Sequence, residues 1–115
     1  MARISSRRIS PKLQNQMLYL FWKNLADLKR PRDLEFLTTD LFSPVERLMI
    51  AKRFMIAVLL YQGQSFRKIC TTLKVSPNTV NSVAHKLHRK KSAYLTLVKK
   101  FLSDHKVKKL VESFS

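Results

Sequence analysis

Residues 65–89, SFRKICTTLKVSPNTVNSVAHKLHR, constrain the fold of this chain more than any other stretch, because helix start and stop signals follow one another too closely to leave many arrangements. The spacing predicts a first helix over residues 66–73, with Ile69 and Leu73 four apart on one face. Lys74, Val75 and Ser76 interrupt it. Ser76 can cap a second helix, because its hydroxyl accepts from amides that the first turn leaves free, and Pro77 follows where a missing N–H costs nothing. The second helix is expected to run to about Lys90, with Val80, Val83, Ala84 and Leu87 facing inward. Two short helices joined by a three-residue turn make a helix-turn-helix.

Such a motif needs a small residue in its first helix, a turn residue four later and a β-branched residue six after that. Cys70, Lys74 and Val80 occupy those places. The turn position usually carries Gly, which reaches positive φ freely; a lysine there costs roughly 1 kcal/mol. The second helix turns Asn78, Thr79, Asn81, Ser82, His85 and Lys86 outward. These side chains can reach base edges in a major groove, and Asn78 and Asn81 are the adenine-reading candidates. Arg67 and Lys68 open the first helix, placed to hold phosphates or a guanine edge, while Lys86, Arg89, Lys90 and Lys91 add phosphate attraction. A plain helical hairpin inside a small bundle would leave that polar outer face unexplained.

Charge points the same way. The 115 residues carry a net charge of +16, which implies a polyanionic partner. Twelve Lys and Arg and no acid lie between Arg47 and Ser103, against eight bases and five acids in the first 46 residues. The imbalance therefore centres on the helix-turn-helix. A basic surface alone also suits RNA or anionic lipid, and the motif is what favours double-stranded DNA. The longest apolar run, residues 54–61, is too short to span a bilayer, so no membrane partner is expected. The opening MARISSRRIS has no apolar core, so no secretory signal is expected; Cys70 stands alone and suits a reducing, cytoplasmic setting.

With one Gly, four Pro and no sustained alternation, the chain is expected to be all-α, with about six helices. Residues 1–9 read as a basic flexible arm, and residues 10–115 as a single DNA-binding domain. Ser10 and Pro11 open a helix reaching about Lys29. It carries two apolar stripes, Leu13, Met17, Leu20 or Phe21 and Leu28 on one and Leu18, Trp22 and Leu25 on the other. A small chain has too little material to cover both, so this helix is expected between two subunits. A short helix follows over residues 31–41, with Leu34, Leu37 and Leu41 on one face. Ser43, Pro44 and Glu46 form a capping-box pattern that opens a central helix to Gln62, stopped by Gly63 and apolar all round in its second half. Beyond the motif, Ser92 caps a helix over residues 93–102, with Tyr94, Leu97, Val98 and Phe101 inward. A last helix is expected over residues 104–114, with Val107, Leu110, Val111 and Phe114 inward.

The order and wording of these pieces, above all DLFSPVERLMIAKRFMIAVLLYQGQSFRKICTTLKVSPNTVNSV, resemble the Trp repressor superfamily, and especially its smaller Trp-repressor-like branch, over roughly residues 18–90. The resemblance is carried by the S-P-x-E-R start of the central helix, Arg53 within it, its L-L-x-x-G end and the helix-turn-helix. It implies an all-helical intertwined homodimer whose two heads enter successive major grooves. In the Trp repressor two arginines sandwich the indole of bound tryptophan, and a small residue leaves room for it. Arg53 stands at the first arginine position, but the second falls on Ser82 and the small position on Val83. The resemblance therefore marks Arg53, Ser82 and Val83 as the place of an effector pocket without implying tryptophan as the ligand.

The chain shows no arrangement of catalytic groups, and its three histidines, His85, His88 and His105, lack partners at metal-ligand spacing. No enzyme activity, metal or cofactor is expected, nor a small-molecule corepressor. The reading is a homodimeric, sequence-specific DNA-binding protein, a transcriptional repressor associated with the nucleoid. A non-specific architectural DNA coat, an RNA-binding module and a protein-interaction adaptor using the C-terminal helices remain as alternatives.

Overall fold

The structure, a computed structural model, describes residues 8–114, all helices and connecting turns. Seven α-helices are found among them: α1 (Pro11–Asp27), α2 (Pro31–Leu41), α3 (Pro44–Tyr61), α4 (Phe66–Leu73), α5 (Pro77–Leu87), α6 (Ala93–Leu102) and α7 (His105–Val111), followed by one 3-10 turn, Glu112–Phe114. The arm expected over residues 1–9 lies, apart from Arg8 and Ile9, outside the described residues. The chain divides after Ser43 into two compact units.

The first unit holds α1 and α2. Ser10 caps α1 by accepting from the Leu13 amide at 3.2 Å, and Pro11 begins the helix. The helix ends two residues before the expected Lys29, with Leu28 already extended. The rings of Phe21 and Trp22 meet at 5.2 Å. No residue of α1 or α2 is buried. Both apolar stripes of α1 stay wet: Leu13 and Met17 on one and Leu18 and Trp22 on the other are each about half exposed. Arg30 pairs with Asp33 at the start of α2.

The second unit is built around α3. Ile56, Ala57, Val58 and Leu59, one full turn, are 0 % exposed, as expected of a helix apolar on every side. The start of α3 differs: Val45, Leu48, Met49 and Ile50 are all exposed. Gly63, at φ 88°, ends the helix one residue earlier than expected. The Gln64 amide bonds the Leu59 carbonyl and the Gly63 amide the Leu60 carbonyl, both at 3.0 Å, so two orphan carbonyls are satisfied by the left-handed stop.

Helices α4, α5 and α6 each pack on α3. Ile69, Leu73, Val80, Val83, Leu87 and Val98 join its buried turn in one core. Ser92 caps α6 through the Leu95 amide at 3.1 Å. Phe54 of α3 meets Phe101 of α6 edge to face at 5.0 Å. Asp104 caps α7, and Val111 is buried with Val107 and Phe114 against the core. Two inward assignments are corrected. Leu97 is 55 % and Leu110 72 % exposed, and Leu95 packs on the core where Leu97 was expected. Leu97 and Leu110 each follow a core-facing helical spacing, but α6 and α7 contribute only one narrow stripe to the core, and these residues fall beside it.

Candidate nucleic-acid interface

The helix-turn-helix is assembled by caps and one strained residue. Ser65 opens α4 by accepting from the Lys68 amide at 3.2 Å, which leaves the Arg67 and Lys68 side chains exposed in the first turn. Thr71 donates its hydroxyl back to the Arg67 carbonyl at 3.0 Å. At the end of α4, Lys74 adopts φ 56°, ψ 55°, the left-handed conformation that its place in the turn demands. The amides of Lys74 and Val75 both turn onto the Cys70 carbonyl. The carbonyl of Lys74 is in turn held by Lys52 of α3, whose ammonium donates to it at 3.4 Å. Sequence reasoning missed Lys52; no spacing rule marks a side chain 22 residues away as the support of a turn.

Ser76 then caps α5, accepting from the Thr79 amide at 3.2 Å. Val80, Val83, Ala84 and Leu87 form the inner face, none more than 8 % exposed. Val80 is 0 % exposed at the first turn after the bend, where a β-branched side chain fixes the angle between the two helices. The outer face of α5 presents Asn78, Asn81, Ser82, His85 and Lys86, all exposed. Their spacing puts amide, hydroxyl, imidazole and ammonium groups along one solvated strip of a helix whose opposite side is locked in the core.

Two members of the expected set sit elsewhere. Thr79 is half-buried, and its hydroxyl lies 2.9 Å from the Ser76 hydroxyl, so it belongs to the cap and not to the outer strip. Arg89 and Lys90 are not on α5, which ends at Leu87 with His88 as its cap. The His88 amide returns to the Ala84 carbonyl at 3.1 Å and the Arg89 amide to the Lys86 carbonyl at 3.4 Å, which tightens the last turn and ends the helix three residues before the expected Lys90. Arg89, Lys90 and Lys91 are exposed on the turn that leads to α6.

The expected effector positions lie on two packed helices, α3 and α5. Arg53 and Ser82 are exposed, while Val83 is 2 % exposed and part of the core. Among the described residues no group of three or more His, Cys, Asp or Glu could hold a metal ion. No helix among the described residues is long and apolar enough to cross a membrane.

A family model described as Trp repressor protein matches residues 16–102 of the chain. No curated protein and no solved structure matches it.

Proposed function

The chain belongs to the Trp repressor family, a family of helix-turn-helix DNA-binding regulators, and from that footing we propose that it is a homodimeric, sequence-specific reader of double-stranded DNA that represses transcription. The observation that carries this reading is the outer strip of α5: Asn78, Asn81, Ser82, His85 and Lys86 are exposed together while Val80, Val83, Ala84 and Leu87 hold the same helix rigidly from behind. A helix fixed in this way keeps its donors and acceptors in register with base edges. Asn78 and Asn81 are the adenine readers, since their amides both donate and accept. Arg67 and Lys68 at the start of α4, and Arg89 and Lys90 beyond the end of α5, hold phosphates on either side. The protein acts in the cytoplasm, on the nucleoid.

Dimerisation is supported by apolar exposure. The two stripes of α1 and the exposed start of α3, with Val45, Leu48, Met49 and Ile50, are more apolar surface than a small monomer leaves in water. A second copy of the chain covers them. Control by tryptophan is not part of the proposal: Val83 is a buried, branched residue where the resemblance calls for a small one, and Ser82 cannot stack on an indole face. The dimer binds DNA without a small molecule. Selection of bound sequences from a random duplex pool tests the reading. Enrichment of a two-fold symmetric site supports it, and recovery of unselected sequence replaces it with the architectural coat that a net charge of +16 also suits.

A further inference from the structure

We propose that the corner formed by α6 and α7 is a second phosphate-contacting surface, one that takes the backbone of the same duplex outside the stretch read by α5. The inference rests on the DNA-binding function proposed above and adds a site to it. Five lysines, Lys99, Lys100, Lys106, Lys108 and Lys109, fall within eleven residues, and all five are exposed. The acid among them, Asp104, has its carboxylate turned to the backbone: it accepts from the Lys106 amide at 2.9 Å and the Val107 amide at 3.5 Å. It serves as the cap of α7.

Helix stability explains part of this charge. Lys99 and Lys100 in the last turn of α6, and Lys108 and Lys109 in the last turn of α7, complement the negative end of a helix dipole. Lys106 does not fit that account, because it is the second residue of α7, at the positive end of the dipole, where a cation is unfavourable. A phosphate of the duplex would give this exposed ammonium group a counterion. The corner is also rigid. Val98 is 0 % and Val111 3 % exposed, and Val107 and Phe114 pack against the core, so the lysines stand on an anchored scaffold. Charges held this way lose less conformational freedom on binding than charges on a loose tail.

Chain order links the corner to α5. The exposed turn with Arg89, Lys90 and Lys91 leads directly from the end of α5 into α6, and α6 packs on α5. In chain order, basic groups thus follow the strip at the end of α5, in the last turn of α6 and in α7. The family match stops at residue 102, so α7 lies beyond the matched stretch. A duplex longer than the α5 site offers further phosphates that exposed ammonium groups can neutralise.

The test uses the full chain and its triple variant Lys106→Gln, Lys108→Gln, Lys109→Gln, each with circular dichroism as a check on folding. Both proteins are titrated with two duplexes over a range of salt. One holds only the sequence that the wild-type protein selects, and the other extends it by roughly one helical turn on each side. The wild-type protein should bind the extended duplex at least tenfold more tightly and with a steeper salt dependence. The variant should lose that gain, its log K against log salt slope flattening by about 0.9 for each phosphate contact removed, with affinity for the short duplex unchanged. Equal slopes for the two proteins on the extended duplex overturn the proposal. So does an equal loss on both duplexes, and so does a loss confined to structured RNA or anionic vesicles. If the triple variant misfolds, Lys99→Gln with Lys100→Gln on α6 is held to the same outcomes. If the wild-type protein selects no sequence, the role given to α5 fails, while the comparison of short and long duplexes of arbitrary sequence still decides the role of the corner.

Discussion

Lys52 reaches across 22 residues to Lys74, its ammonium donating to the Lys74 carbonyl at 3.4 Å, and so the central helix supports the one non-glycine residue with positive φ among the described residues. Two opposed effects meet at this turn. The left-handed backbone of Lys74 is strained by its Cβ, and the bond from Lys52 together with the two amides on Cys70 offsets part of that strain. Lys74→Gly should therefore raise stability by up to about 1 kcal/mol, the gain being limited by the greater freedom of Gly in the unfolded chain. Lys52→Met should lower it by roughly 0.5–1 kcal/mol, the net contribution of a single hydrogen bond. Urea unfolding of both variants measures this, and a destabilised Lys74→Gly protein would show that the strain is smaller than the entropic cost of ordering Gly.

Asn81→Ala should cost roughly 1–3 kcal/mol on the selected DNA site and little on random duplex, because it removes the proposed base contact. Lys68→Ala should weaken both kinds of DNA about equally and flatten the salt dependence, because it removes the proposed phosphate contact. Fluorescence anisotropy with the two DNAs separates these patterns. If Asn81→Ala lowers affinity for both alike, its role as a specificity residue is wrong.

Millimolar L-tryptophan should leave DNA affinity unchanged. A tryptophan-gated site needs planar cations on both faces of the indole, and each such contact is worth roughly 0.5–2 kcal/mol. Here Ser82 offers no guanidinium, and Val83, 2 % exposed, belongs to the core. A gel-shift titration decides this: a tenfold gain in affinity with tryptophan would overturn the expectation.

Sedimentation at micromolar concentration should give about twice the 13.5 kDa chain mass. Leu20→Glu, a charge placed on a residue of α1 that is 64 % exposed, should shift that mass towards the monomer and lower the unfolding temperature with it, since folding and association are coupled in such a dimer. A stably folded wild-type monomer under these conditions overturns the dimer.

The bounds of α2, α4 and α6 were legible because each carries a signal with a physical cause: Pro31 and Ser92 at the starts of α2 and α6, and in α4 the spacing of Ile69 and Leu73 with Lys74 in a place that permits no further helix. The end of α5 was not legible. His88, Arg89 and Lys90 contain neither Gly nor Pro, and only the tightening of the last turn around His88 stops the helix. The inner face of α5 followed from spacing alone, residue for residue, because the motif allows only one inward stripe. Leu97 and Leu110 show the limit of the same reasoning: periodicity reports that a residue could face a core, not that a neighbouring element is there to cover it. Thr79 shows another limit, since a hydroxyl near a helix start serves the solvent and the cap equally well on paper, and only the 2.9 Å approach to Ser76 decides between them. The exposed strip of α5 followed from helical spacing, but the support of the preceding turn by Lys52 depends on a contact between distant parts of the chain that no local pattern encodes.

The separation of α5 into a locked side and a free side also bears on how such a protein can change over generations. Val80, Val83 and Leu87 are intolerant positions, where a smaller side chain opens a cavity in the core. Asn78, Asn81 and Ser82 are exposed, and exchanges at such positions usually shift stability by no more than about 0.5 kcal/mol. With DNA read by this strip as proposed, descendants of one gene can therefore drift at the free positions and acquire different targets while inheriting the same scaffold intact, without a compensating substitution elsewhere for each new preference.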